Sequence, residues 1–202
     1  PSLLERRATL VLDGGPAART VHGIIAAATA ETVAVQGRHV LRLRLVPQAW
    51  LLKRRRARRI FQDMSTPEIV TAILGERGIA HELRARGTYP KRGYCVQYDE
   101  TEYAFLRRIL AEDGLFFWFE HPTTDTDDTL PGGGFQERLV VTDSADDYPR
   151  LASGETLAFR DAGQDTGMLA EEHQVTRFAL RHKVRPRAAV LRDRDYLRPL
   201  LA

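Results

Sequence analysis

The apolar positions of this chain follow three successive rhythms. From Ala8 to about Ala49, apolar and polar residues alternate through "ATLVL", "RTVHGIIAA" and "HVLRLRLVP". In the last of these, Val40, Leu41, Leu43 and Leu45 interleave with Arg42 and Arg44. A period of two sends leucines to one side and arginines to the other, which predicts half-buried antiparallel strands or a barrel wall with solvent-facing arginines.

From about Ile60 to His121 the rhythm alternates between helix and strand. Ser65 and Glu68 have the spacing of a capping box, with Pro67 tolerated in the first turn. Met64 before the cap and Ile69 four positions into the helix form an expected hydrophobic staple. Ile69, Val70, Ile73 and Leu74 make the buried stripe, and Gly75 or Gly78 ends the helix. The same grammar reads at "YDETEYAFLRRILAEDG": Tyr98 before the cap, Asp99 and Glu102 as the box, Tyr103 as staple partner, and Phe105, Leu106, Ile109 and Leu110 as the apolar face. These acidic residues are therefore expected to cap helices rather than catalyse. "LFFWFEH" follows, a strand whose alternation puts Phe117 and Trp118 on opposite faces, so both faces need cover.

A Thr-, Asp-, Pro- and Gly-rich stretch, "PTTDTDDTLPGGG", then separates the second rhythm from a third. "ERLVVTD", "ETLAFRD", "EHQVTRFAL" and "RAAVLRD" read as short strands between polar turns, the pattern of a second small barrel or sandwich.

Composition changes this picture little. The 202 residues are 43% hydrophobic and 28% charged, the balance of a globular chain long enough for a sizeable core. No stretch resembles a signal peptide or a bilayer-spanning run, and the single cysteine, Cys95, excludes an internal disulfide. The net charge of +3 is small, so clustering matters more. Lys53, Arg54, Arg55, Arg56, Arg58 and Arg59 form a basic block, and Arg181, His182, Lys183, Arg185 and Arg187 a second series. Asp125, Asp127 and Asp128 lie in an acidic segment between them. The first block is compatible with a solvated face, with a protein contact through bidentate Arg–carboxylate pairs, or with phosphate binding.

The search for catalytic or cofactor chemistry is mostly negative. The six histidines show no HxH or HExxH spacing for a metal, and Gly132, Gly133 and Gly134 lack P-loop context. Strand placement makes Cys95 a buried small hydrophobe rather than a nucleophile, and Ser144 and Ser153 lack a nucleophile elbow. The reading is of no catalytic, cofactor or metal residues. A carboxylate-based enzyme stays open as a third alternative, since acid–base pairs are defined in space rather than by spacing.

Several ordered blocks carry a family resemblance. "VHGIIAA", "LRLVPQAWLL", "RIFQDMSTPEIVTAIL", "YPKRGYCVQYDETEYAFLRRILAEDGLFFWFEH" and "VLRDRDYLRPL" together resemble the amino-terminal, gp27-like hub region of the type VI secretion spike proteins, VgrG, relatives of contractile phage tail hub proteins. The resemblance implies an α+β, mainly β fold: two small β-barrel-type modules with an α/β insertion. It divides the chain into a first barrel module over 1–59 lacking its opening strands, the insertion over 60–125, and a second barrel module over 126–202. It implies a structural, non-enzymatic adapter that joins the hexameric Hcp tube to a puncturing needle for effector delivery. The whole protein would be a homotrimer assembled in the bacterial cytoplasm and delivered outside the cell or into a target cell. The PAAR tip and effectors would bind through regions outside this chain. On this reading Arg59, Phe61 and Asp63 mark the passage from the first barrel into the insertion, with Ile60 and Phe61 as anchors. Arg59, Phe61, Asp63, Met64, Ser65, Glu68, Tyr98, Asp99, Glu102, Tyr103, Phe117 and Trp118 are the structural and interface candidates. The alternative function is a nucleic-acid-binding module using the basic clusters.

Overall fold

The computed structural model describes residues 3–12, 19–33, 38–122, 137–150, 158–159, 174–175 and 177–184. The chain divides into two compact units, 1–155 with 169–172 and 156–168 with 173–202. The fold is mainly β with two α-helices among the described residues. The acidic segment at Asp125–Asp128, the strand expected at "RAAVLRD", and Arg185 and Arg187 lie outside the described residues.

The first rhythm forms one antiparallel sheet. β1 (Arg7–Leu12) pairs with the first part of β2 (Arg19–Val33), and β3 (Arg38–Val46) with the rest of it, in the order β1-β2-β3. Directly opposed residues share a face. The pairs Leu10↔Val21, Ile25↔Leu45, Ala28↔Leu43 and Ala30↔Leu41 therefore build one nearly continuous apolar face. The pairs Thr9↔His22, Ile24↔Val46 and Thr29↔Arg42 lie on the other. His22, Ile24 and Val46 are buried there. The strands and the exposed Arg42 and Arg44 agree with the alternation. The leucines do not: Leu41 is 55% and Leu43 50% exposed, because no described element covers that end of the sheet. Gly23 lets β2 and β3 approach closely, since a Cβ there would lie 2.5 Å from the Val46 carbonyl oxygen.

A 3₁₀ helix, η1 (Gln48–Arg54), starts after Pro47 and buries Ala49 and Leu52. It leads into β4 (Arg56–Phe61), and then α1 (Thr66–Glu76), β5 (His81–Leu83), β6 (Cys95–Thr101), α2 (Glu102–Glu112) and β7 (Phe116–Glu120) follow. Both helices end in a Schellman motif around a left-handed glycine. Gly78 (φ 60°) sends its amide to Gly75 O at 3.0 Å, and Ile79 N reaches Leu74 O at 3.0 Å. Gly114 (φ 71°) repeats this, with Leu115 N on Leu110 O at 2.8 Å.

β8 (Arg138–Thr142) lies between β5, to which it is parallel, and β7, to which it is antiparallel. "ERLVVTD", read above as part of the third region, thus completes a sheet with strands of the second. A hydrophobic core gathers η1, α1, α2, Phe61 and Cys95 of the β4–β6 ribbon, and Leu139 and Val141 of β8. A short 3₁₀ turn, η2 (Ala145–Asp147), follows β8. In the second unit β9 (Ala158–Phe159) and β10 (Gln174–Val175) pair in parallel, and Phe178, Leu180 and Val184 are exposed.

Candidate interaction surface

The basic block is sorted by its surroundings into two groups. Arg59 forks onto the Glu76 carboxylate at 2.7 and 2.8 Å, and its guanidinium covers the Phe61 ring. Arg56 donates to Asp99 O at 2.9 Å, and the Arg56 and Arg58 guanidiniums lie 3.7 and 4.0 Å from the Asp99 carboxylate. Lys53, Arg54 and Arg55 have no carboxylate within ion-pair distance among the described residues, and neither has Arg107 of α2. Lys53 Nζ and the Arg107 guanidinium both approach the Tyr103 ring, at 4.5 and 5.9 Å, and Arg54 lies 4.7 Å over Trp50. The Glu102 amide donates to Arg55 O at 2.9 Å, which places the end of η1 against the start of α2. Arg55 also lines an open pocket of about 220 Å³ with Gln48, Leu51, Glu76 and Arg77.

At the head of α1 the candidates assemble as the spacing anticipates. The Glu68 carboxylate accepts from the Ser65 amide at 2.7 Å and the Ser65 hydroxyl at 2.9 Å, and these bonds hold its pKa below the ordinary value. Met64 is half-buried against the core that contains Ile69, and Phe61 stacks on Phe105 at 5.5 Å. Asp63 is exposed with φ 52°, a left-handed turn that an Asp tolerates. Ile60, expected as an anchor, is 59% exposed because Phe61 takes the inward position on the strand.

The second cap differs from the expected box. β6 continues through Thr101, whose hydroxyl accepts from Ala104 N at 3.1 Å and caps α2. Asp99 is the extra residue of a bulge between the Ala57↔Glu100 and Arg58↔Tyr98 pairs, with φ 47°. Tyr98 is exposed, with the Arg58 guanidinium 5.5 Å above its ring, so it makes no staple with Tyr103. Glu102 is fully buried and forks with Arg77, whose Nε donates at 3.0 and 3.1 Å and whose pKa is raised first by this bond. Spacing of twenty-five residues between the two gave no local signal.

Phe117 and Trp118 are both half-buried on opposite faces of β7, as the aromatic run requires. Phe117 packs inward, edge-on to Tyr103 at 6.4 Å. Trp118 points outward against Tyr148 at 4.9 Å, beside a lattice in which Arg84 bridges Glu82 and Glu120 and Arg138 reaches the same two carboxylates. Arg86 pairs with Asp147, which also accepts from Thr142.

A polar seam ties the first sheet to β7. The His22 ring meets Thr9 Oγ1 at 2.9 Å and Pro122 O at 2.7 Å, and the His22 amide donates to His121 Nδ1 at 3.1 Å. The Glu137 carboxylate accepts from the Gln48 amide close by, and burial pushes its pKa up. Burial likewise raises the Cys95 thiol. Among the described residues no group of three or more His, Cys, Asp or Glu is placed to hold a metal, and no helix is long and apolar enough to cross a membrane.

Comparison with known proteins is consistent with this architecture. The type VI secretion system spike protein VgrG4b of Pseudomonas aeruginosa is 35% identical over 203 residues, covering 99% of this chain and 23% of that protein. The spike protein VgrG5 of the same organism is 32% identical over 206 residues, again covering 99% and 23%. The chain thus spans less than a quarter of the length of these relatives. Among solved structures, the E. coli c3393 protein aligns with a TM-score of 0.56 and 32% identity over 65% of this chain and 35% of that one. It is described as a type VI secretion component structurally similar to the bacteriophage T4 tail proteins gp27 and gp5. The phage tail baseplate hub (GPD) family matches residues 1–202 in full, and the chain belongs to that family.

Proposed function

We propose that this chain is the hub region of a type VI secretion spike, a non-catalytic adapter that joins the hexameric Hcp tube to the needle. The β1–β2–β3 sheet carries this reading: its nearly continuous apolar face, with Leu10, Leu12, Leu41 and Leu43 about half-exposed, suits the inner wall of a barrel completed by further strands. On this reading 1–59 contributes the first barrel module, 60–125 together with β8 the α/β insertion, and the remainder a second barrel module. Three copies would present a pseudo-sixfold ring to the tube, because a repeated surface binds a symmetric partner only with its copies held in register. Assembly in the bacterial cytoplasm, delivery into a target cell, and a PAAR tip carried by other regions complete the proposal.

The test is a chimera in which this chain replaces the matching part of P. aeruginosa VgrG4b. Light scattering should report a trimer, and imaging with purified Hcp should show it capping tubes. The 202-residue chain alone should be largely monomeric at micromolar concentration. A monomeric chimera without tube association overturns the adapter assignment.

A further inference from the structure

We infer that the end of η1 and the first turns of α2 form a docking surface for an acidic protein partner, with Lys53, Arg54, Arg55 and Arg107 as its contact cations. The inference goes beyond the hub assignment and does not depend on it.

Arg59, Arg77, Arg84, Arg86, Arg92, Arg108 and Arg138 all lie within ion-pair distance of Glu or Asp side chains. The four cations at the η1–α2 junction have none among the described residues; Arg6, Arg19 and Arg44 have none either, and the junction is set apart by three of its cations lying on the Trp50 and Tyr103 rings. Lys53 and Arg107 are brought to one ring, Tyr103, so like charges converge where no carboxylate neutralises them. Such a concentration of positive charge attracts an external anion.

The kind of anion follows from the rings. Binding a single-stranded nucleic acid uses free aromatic faces on which bases stack. Here Trp50 already carries Arg54 at 4.7 Å, and Tyr103 is half-buried beneath Lys53 with Phe117 against it. Both rings already carry cations. Carboxylates on a protein surface need only the cations, and planar guanidiniums suit them in bidentate pairs. Arg55 lines the open pocket with Gln48, Leu51, Arg77 and Glu76, and the Glu76 carboxylate there is already held by Arg59.

The test measures anisotropy of a labelled polyglutamate peptide and of an oligothymidylate of equal charge, titrated with the 202-residue chain at about 50 and about 200 mM salt. The peptide should bind more tightly than the oligonucleotide. The double variant Lys53→Glu/Arg107→Glu should weaken peptide binding about ten-fold, and Arg56→Glu/Arg58→Glu less than about two-fold, although both change net charge equally. Lys53→Gln/Arg107→Gln, with an unchanged near-UV spectrum, repeats the loss without charge reversal. Equal losses in the two double variants, or no peptide binding, overturn the assignment. Tighter oligonucleotide binding that is lost on changing the same residues replaces it with a nucleic-acid surface.

Discussion

Glu102 and Arg77 form an asymmetric pair: the carboxylate is fully buried, whereas a quarter of the arginine side chain meets solvent. Removing the arginine strands a charge that water cannot reach. Arg77→Ala should therefore cost about 3 kcal/mol or more in urea unfolding. Arg59→Ala, which breaks a more exposed pair with Glu76, should cost about 1 kcal/mol or less. Similar costs would mean that Glu102 regains solvent or a new partner. The seam at His22 supplies a pH dependence. Burial first, then His22 and Arg19, lowers the His121 pKa below its ordinary 6.5. In that window the unfolded chain binds more protons than the folded one, so this contribution is complete above pH 6.5 and is lost as the pH falls toward the folded-state value. Protonation at Nδ1 also removes the acceptor for the His22 amide. Glu137 acts oppositely just above its ordinary 4.5, where its raised pKa lets the folded chain bind more protons. His121→Asn should flatten the fall in stability as the pH drops below 6.5, and an unaltered slope would remove His121 from the account.

At the scale of elements, local chemistry decides which parts of the fold the sequence announces. α1 has its signals within a few residues: Ser65 and Glu68 at one end, the Gly78 motif at the other, and Met64 alongside. Met64→Asp, which sends a carboxylate toward the core, should cost about 2–3 kcal/mol and reduce helix content. Arg56→Ala, at an exposed guanidinium, should stay within about 0.5 kcal/mol. Comparable unfolding midpoints with intact helix content in both variants would count against the staple. α2 was legible in its apolar face and not in its cap. The pattern Asp99–Glu102 fits a box, but the β4 partner extends β6 to Thr101 and turns Asp99 into a bulge, and no local rule contains that pairing. η1 was equally hidden, since a 3₁₀ helix of seven residues anchored by Ala49 and Leu52 gives too few apolar positions to show a period. The strand β8 shows the same limit from the other side. Its alternation announces a strand, while its parallel pairing with β5 depends on contacts across more than fifty residues.

For the molecule as a whole, the decisive feature is the contrast between a closed core and an open sheet. Ile69, Ile73, Phe105 and Ile109 are fully buried between the helices and strands. Leu10, Leu12, Leu41 and Leu43 hold an equally apolar face about half in water. Isolated exposed leucines are ordinary, but a face spanning three strands is the kind of patch that marks a surface meant to be covered. The alternation in "HVLRLRLVP" identified the leucine side, and only the fold shows that its cover is not among the described elements. If that face becomes a barrel wall in the longer protein, a charge there should matter only when the wall is complete. Leu43→Glu in the 202-residue chain should shift stability by no more than about 0.5 kcal/mol, since the side chain already meets solvent. The same substitution in the VgrG4b chimera should bury an unpaired carboxylate and cost about 3 kcal/mol or more, lowering the fraction of folded trimer. Parallel melting and light scattering of the four proteins separate the outcomes. A chimera that tolerates Leu43→Glu as readily as the shorter chain would show the face to be solvent-exposed in both, and the barrel assignment for the first module would fall.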